Sequence, residues 1–95
     1  MSLEKIFGHT GFQCVETTID GGNTYFDGKH LVIGILPPEK GYAGNILIDS
    51  RFLDEFMKSF GKERTENKSE DISQLSGQKI YAYYISRTLL GVKKA

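Results

Sequence analysis

The sequence predicts an α+β protein: a small, mostly antiparallel β-sheet, made of an N-terminal meander and a long C-terminal strand, packed by one main amphipathic helix. Three observations predict it: strand-like segments near the N-terminus, one helical stripe in the middle, and a strand-forming segment near the C-terminus. Strands followed by a helix favour this class over regular β-α alternation. The 95 residues suit one domain, so we expect residues 1–95 to form a single α+β domain.

Three N-terminal segments predict the meander. Residues 12–19 (FQCVETTI) are rich in β-branched residues and end at the turn-forming sequence DGGN. A short strand is expected at residues 24–26, followed by Asp27-Gly28, a pair typical of a type I′ hairpin. Residues 30–36 (HLVIGIL) are nearly all apolar and therefore predict a central strand. Gly34 within it indicates a bulge or a close neighbour.

The helix is predicted to begin at Asp49 or Ser50, since either side chain can cap it. An apolar stripe at the 1-4-5-8 spacing follows, formed by Leu53, Phe56, Met57 and Phe60. Gly61 is the expected stop. We expect this stripe, including Phe56, to be buried against the sheet. Residues 37–45 (PPEKGYAGN) and the polar run 62–71 are predicted to be loops, and a short helical turn is expected from Ser69 to Gly77.

Residues 79–92 (KIYAYYISRTLLGV) are strand-forming almost throughout and predict one unusually long strand. Tyr81 and Tyr83 share one face of that strand because side chains alternate. Arg87 lies on the same face if no bulge intervenes. Tyrosine is enriched at protein interfaces, since it combines a large contact area with a hydroxyl group. The strand is therefore the predicted recognition surface.

Composition argues against several classes of protein. Twelve basic and twelve acidic residues cancel, whereas proteins that bind DNA by neutralising phosphates usually have a basic excess. Cys14 is the single cysteine and cannot form an internal disulfide, which fits a reducing compartment. Neither a signal peptide nor an apolar run of membrane-spanning length is found in the sequence. We expect a soluble cytoplasmic protein without membrane association.

No catalytic or cofactor motif is found in the sequence. Cys14 lies on a different predicted strand from His30, and the other histidine is His9. We interpret Cys14 as a small core residue. Metal-ligand spacings and phosphate-binding glycine loops are absent from the sequence. The sequence thus predicts a protein without enzymatic activity, metal or cofactor.

The favoured hypothesis is a protein-interaction module, such as a small inhibitor or adaptor of the kind that phages and mobile elements encode, acting by surface occlusion. Its partner is another protein or a second copy of the chain as a homodimer. The predicted interaction residues are Tyr81, Tyr83, Arg87 and, in the 37–45 loop, Tyr42. The second-ranked alternative is single-stranded nucleic acid on the tyrosine and arginine surface, where bases would stack. The third is a small ligand bound under the 37–45 loop.

Overall fold

The computed structural model describes residues 12–95 and shows an α+β fold. Within that range it contains six strands and two α-helices. In chain order these are β1 (Phe12–Thr18), β2 (Tyr25–Asp27), β3 (His30–Gly34), β4 (Asn45–Ile48), α1 (Leu53–Ser59), α2 (Lys68–Leu75), β5 (Lys79–Ile85) and β6 (Thr88–Lys94). Short 3₁₀ turns, Gly21–Asn23 and Ser50–Phe52, come before β2 and α1. The predicted fold class is confirmed.

The strands of this range form two antiparallel sheets rather than one. The first sheet has the order β1-β5-β6 and the second sheet the order β2-β3-β4. β3 is central in the second sheet, as predicted, and residues 31–35 are all buried. Gly34 has the close neighbour that its position indicated. A Cβ at Gly34 would lie 2.6 Å from the backbone oxygen of Asn23.

The predicted meander is wrong in its first step. β2 and β3 form a hairpin around Gly28-Lys29, in which Gly28 has a φ of +62° and Lys29 has no positive φ, as in a type II′ rather than a type I′ turn. β1 pairs with β5, from Phe12 opposite Ile85 to Thr18 opposite Lys79. The physical reason is the 3₁₀ turn after β1. Asp20 caps it by accepting from the Gly22 N–H, and the turn separates β1 from β2.

The predicted long strand is a hairpin. β5 and β6 pair around a two-residue turn, Ser86-Arg87, in which Ser86 has a φ of +55°. A non-glycine residue rarely adopts this conformation, so the turn has no clear sequence signal. The pairing also contains a bulge between Tyr83 and Tyr84. The bulge leaves Leu90 without a partner across the ladder.

The two sheets are joined on both sides and enclose one core. On one side Ile19 forms an antiparallel bridge with Ile35, and the Asp20 N–H donates to the Gly34 carbonyl at 2.8 Å. On the other side the Ala43 N–H donates to the Arg87 carbonyl at 2.9 Å. β4 and β6 both begin within two residues of this second contact. We call the space between β4 and β6 the seam.

α1 contributes its apolar stripe to the core that the two sheets enclose. Leu53, Met57 and Phe60 are buried as the stripe predicted, but Phe56 is half-buried at its edge. The expected burial of Phe56 is therefore only partly correct. Gly61 ends the helix at a φ of +70°, as predicted.

The polar run 62–71 is not entirely a loop. Asn67 caps α2 earlier than the predicted Ser69, because its side chain accepts from the Glu70 N–H. Asp71 lies in the first turn of this helix and is 1% exposed. It accepts hydrogen bonds from the Thr65 N–H at 2.8 Å and the Thr65 hydroxyl at 2.9 Å. These bonds satisfy the buried carboxylate and attach the loop to α2.

We expect Gly34→Ala to destabilise the protein by about 1–3 kcal/mol, the usual cost of overpacking, because backbone atoms of Asn23 occupy the space of the new methyl group. Chemical denaturation measures this free energy of unfolding. Gly91→Ala is the matched control, since a Cβ there meets no atom within 4 Å. Equal stability of the two variants would contradict the close packing of β3 on the 3₁₀ turn.

Candidate functional site

Tyr81 and Tyr83 lie on the outer face of β5, as predicted. Burial alternates along this strand: Ile80, Ala82 and Tyr84 are buried and Tyr81 is 36% exposed. Tyr83 is half-buried. We call this surface the tyrosine face. Its neighbours across the first sheet are Cys14 and Glu16 on β1 and Gly91 and Lys93 on β6.

Arg87 and Tyr42 lie away from this face. Arg87 is in the β5–β6 turn, and its guanidinium lies against Gly41. The Tyr42 hydroxyl donates to Gln13 Oε1 at 2.9 Å. The Tyr42 ring packs edge-on against Tyr84, with 5.1 Å between centroids. The structure thus brings Tyr81 and Tyr83 together, and places Tyr42 and Arg87 at the end of the seam instead.

Cys14 is exposed, so its interpretation as a core residue is wrong. It lies on the outer face of β1, directly opposite Tyr83. Partial burial, and then the neighbouring Cys14 thiol, raise the pKa of Tyr83 above its ordinary value. His30 is on β3 in the other sheet. His9 lies outside the described residues.

An apolar groove runs along the seam. Its cavity volume is about 710 Å³. One wall is β4 with the following Asp49, another is the end of β6, and α1 with its preceding 3₁₀ turn supplies the rest. The apolar side chains along it are Ile46, Leu47, Ile48, Phe52, Phe56, Leu90 and Val92. We call this surface the groove.

Three large apolar side chains of the groove are strongly exposed. Leu47 is 51%, Phe52 56% and Leu90 48% exposed. Such a concentration on a small domain is typical of a binding surface. Leu90 reaches the groove from the bulge in β6.

Both walls are edge strands. β4 pairs with β3 and β6 with β5, and in the described part of the chain neither strand is hydrogen-bonded to a second strand. Backbone N–H and C=O groups on the outer edge of a sheet are available to an additional strand. Beyond the Ala43–Arg87 hydrogen bond, no backbone bond crosses the seam among residues 12–95. The groove therefore offers apolar side chains and unpaired backbone groups together.

Charges of both signs border the groove. Asp49 and Glu55 lie on one side, and Lys93 and Lys94 at the end of β6. Arg51 donates to Asp49 at 3.2 Å and lowers the pKa of that carboxyl group. Within residues 12–95, Glu55, Lys93 and Lys94 form no ion pair. These three charges are free to meet a ligand.

Sequence reasoning missed the groove residues Leu47 and Leu90. The alternation in NILI was a usable signal for Leu47, since it indicates a strand with one outward leucine. Leu90 gave no signal because its exposure depends on a bulge.

A second cavity, of about 380 Å³, lies beside the 37–45 loop where a small ligand was expected, with Tyr25, Ile35 and Pro37 in its lining.

Tyr84 connects the two sheets at the end of the seam where Ala43 bonds to Arg87. Its ring is buried and its hydroxyl donates to the Ala43 carbonyl at 2.6 Å. We expect Tyr84→Phe to lose about 1–3 kcal/mol in chemical denaturation, because that carbonyl loses its partner. Tyr42→Phe is the control: its hydroxyl bonds an exposed side chain, so its loss should stay within about 0.5 kcal/mol. Equal losses would contradict the role given to Tyr84.

Stability should also fall at alkaline pH. Burial, and then the nearby Tyr42, raise the pKa of Tyr84 above 10.0, so the folded protein retains a proton that the unfolded chain releases. The free energy of unfolding should therefore decrease as the pH rises through and above 10.0. Denaturation across this range should show a shallower decrease for Tyr84→Phe. An identical slope in both proteins would contradict this contribution.

No helix in the described range is both long and apolar enough to cross a bilayer. Compared with protein-family models, with curated proteins and with solved structures, the chain gives no match.

Proposed function

We propose that the protein is a non-enzymatic protein-interaction module whose groove receives an extended peptide segment of a partner protein. The observation that carries the proposal is the seam, where two unpaired strand edges border a row of exposed apolar side chains. An added strand gains affinity from main-chain hydrogen bonds and specificity from the pockets that accept alternate side chains.

The apolar residues of the groove fit a peptide with alternating apolar side chains. One face of an extended segment would contact Leu47, Phe52 and Leu90, and the opposite face would remain in solvent. Burying these exposed side chains provides the hydrophobic part of the binding free energy.

The charges at the rim support a defined orientation of the peptide. Glu55 lies on the side of α1, whereas Lys93 and Lys94 lie on β6. A peptide with a basic residue facing α1 and an acidic residue facing β6 would pair with both sides. The reversed orientation would bring like charges together and would therefore be disfavoured.

The tyrosine face can extend the contact to a folded partner. Lys93 is opposite Tyr81 on the first sheet and also lines the groove, so the two surfaces meet at β6. A partner that inserts a segment into the groove would also contact Tyr81. A larger area of the partner's surface would then be buried. This arrangement fits a small inhibitor or adaptor that acts by occluding its partner's surface.

Single-stranded nucleic acid remains the second candidate. Tyr81 and Tyr83 share the face that base stacking would need. However, Glu16 lies opposite Tyr81 on that face, and Arg87 is in the turn beyond it. Glu16 and Lys93 lie on either side of Tyr81 and their charges cancel, so these two neighbours do not attract phosphates, and this surface supports the protein partner better. For a small ligand, the groove volume of about 710 Å³ lies within the usual range.

We expect a random peptide library, selected on the wild-type protein, to yield sequences with alternating apolar residues. Leu47→Asp and Leu90→Asp should each weaken the selected peptides about tenfold or more, because each places a charge in the apolar groove. Leu36→Asp is the matched control, since Leu36 is 54% exposed and lies outside the groove. Calorimetric titration measures the affinities.

Equal binding by all three variants would contradict the groove as the site. Weakening by Tyr81→Ala alone would move the site to the tyrosine face. Self-association that Leu47→Asp abolishes, measured by light scattering, would instead identify a second copy of the chain as the occupant.

For the nucleic-acid alternative, we expect a mixed single-stranded oligonucleotide to bind no tighter than about 10⁻⁶ M at physiological salt, because the chain has no basic excess. Fluorescence anisotropy over a salt series tests this. A tighter, strongly salt-dependent complex that Tyr81→Ala and Tyr83→Ala both abolish would reverse the ranking of the two functions.

A further inference from the structure

A second concave site lies on the other side of the Ser50–Phe52 turn and differs from the groove in its chemistry. Its cavity has a volume of about 220 Å³ and is lined by Phe26, Gly28, Lys29, Ser50, Arg64 and Lys68. Three of these six residues are cationic, and no carboxylate from residues 12–95 is among them. In a chain with no net charge, this is a local concentration of positive charge. We call it the cationic cavity.

Lys68 contacts the β2–β3 hairpin at the cavity. Its ammonium group donates to the Gly28 carbonyl at 3.3 Å and lies 5.3 Å from the centroid of the Phe26 ring. Both contacts leave donors of the ammonium group available, since a lysine has three. The hairpin turn and the start of α2 thereby meet at this side chain.

Arg64 and Lys29 approach from two other elements. Arg64 is in the loop between the helices, and its Nη1 is 3.5 Å from Asp54 Oδ1, a long contact between exposed groups. A guanidinium has five N–H donors, so most remain available to a ligand. Lys29 is the second residue of the β2–β3 turn. Ser50 adds a hydroxyl from the 3₁₀ turn before α1.

We propose that the cationic cavity binds the phosphate group of a small phosphate monoester. A phosphate monoester carries up to two negative charges and three terminal oxygens, which suit a cavity lined by one arginine, two lysines and a serine. The cavity volume of about 220 Å³ is roughly seven times that of a water molecule in the liquid. This is enough for the phosphate group and the first atoms of its carrier, and less than the roughly 300 Å³ at which sites for larger ligands begin.

The surroundings favour a small molecule over a phosphate polymer. Asp27 precedes Gly28 in the hairpin, Asp54 contacts Arg64, and Glu70 follows Lys68 by two residues. These carboxylates would repel the flanking phosphates of an oligonucleotide. A monoester brings one phosphate near these carboxylates, whereas an oligonucleotide brings several, so the repulsion is smaller for the monoester.

The test uses glycerol 3-phosphate as the probe and glycerol as its unphosphorylated control, titrated into isotopically labelled protein and followed by NMR. We expect saturable shifts of the Gly28, Lys29 and Lys68 amide signals with the phosphate ester and none with glycerol. Lys68→Gln and Arg64→Gln should each weaken binding about tenfold, as expected for the loss of a charge-assisted hydrogen bond. Lys58→Gln, an exposed lysine of α1 outside the cavity, should leave binding unchanged.

Three results would overturn the proposal. The first is the absence of saturable shifts at these amides, and the second is equal weakening by Lys58→Gln, which would indicate general charge attraction. The third is tighter, Lys68-dependent binding of a 5′-phosphorylated oligonucleotide or a phosphopeptide than of glycerol 3-phosphate, which would identify a macromolecular ligand. This test is independent of the proposed peptide site. The Leu47→Asp variant, which alters the groove, should bind glycerol 3-phosphate as the wild type does.

Discussion

The fold depends on the backbone pairing at the end of β3, where Ile35 lies between two other segments of the chain. Its N–H donates to the Gly44 carbonyl at 2.8 Å, and Ile19 bridges to it from the end of β1. A small sheet is stable only when its hydrophobic face is covered. Because this pairing joins the two sheets, their inner faces share one core with α1. Ile33 and Ile80, from different sheets, are both completely buried in it.

The groove exists because the two sheets are joined only partly on the side of β4 and β6. Ala43 connects the sheets through the Tyr84 hydroxyl and the Arg87 carbonyl, and the seam beyond this point stays open. β4 has four residues and β6 has seven, so the two edges cannot pair over their whole length. Full closure would satisfy both strand edges. The open seam instead leaves the outer edges of β4 and β6 without backbone pairing among residues 12–95.

The short turn between β4 and α1 separates two surfaces of opposite chemistry. Phe52, at its end, lies in the apolar groove, and Ser50, at its start, lines the cationic cavity. Asp49 caps the turn by accepting from the Arg51 N–H at 2.9 Å, and Arg51 lowers the pKa of its carboxyl group. This capping bond satisfies a backbone N–H at the start of the turn that carries both residues.

The sequence by itself determined the α+β class, the burial of β3, the stripe of Leu53, Met57 and Phe60, and the shared outer face of Tyr81 and Tyr83. These features follow from local periodicity, which the chain carries at every position. The division into two sheets, the β5–β6 turn and both concave surfaces were decided by tertiary structure. Ser86 adopts a positive φ without a glycine, Leu90 faces outward because of a bulge, and Lys68 meets Gly28 across 40 positions of the chain. Contacts between distant segments depend on how the sheets close, and no local pattern encodes that closure.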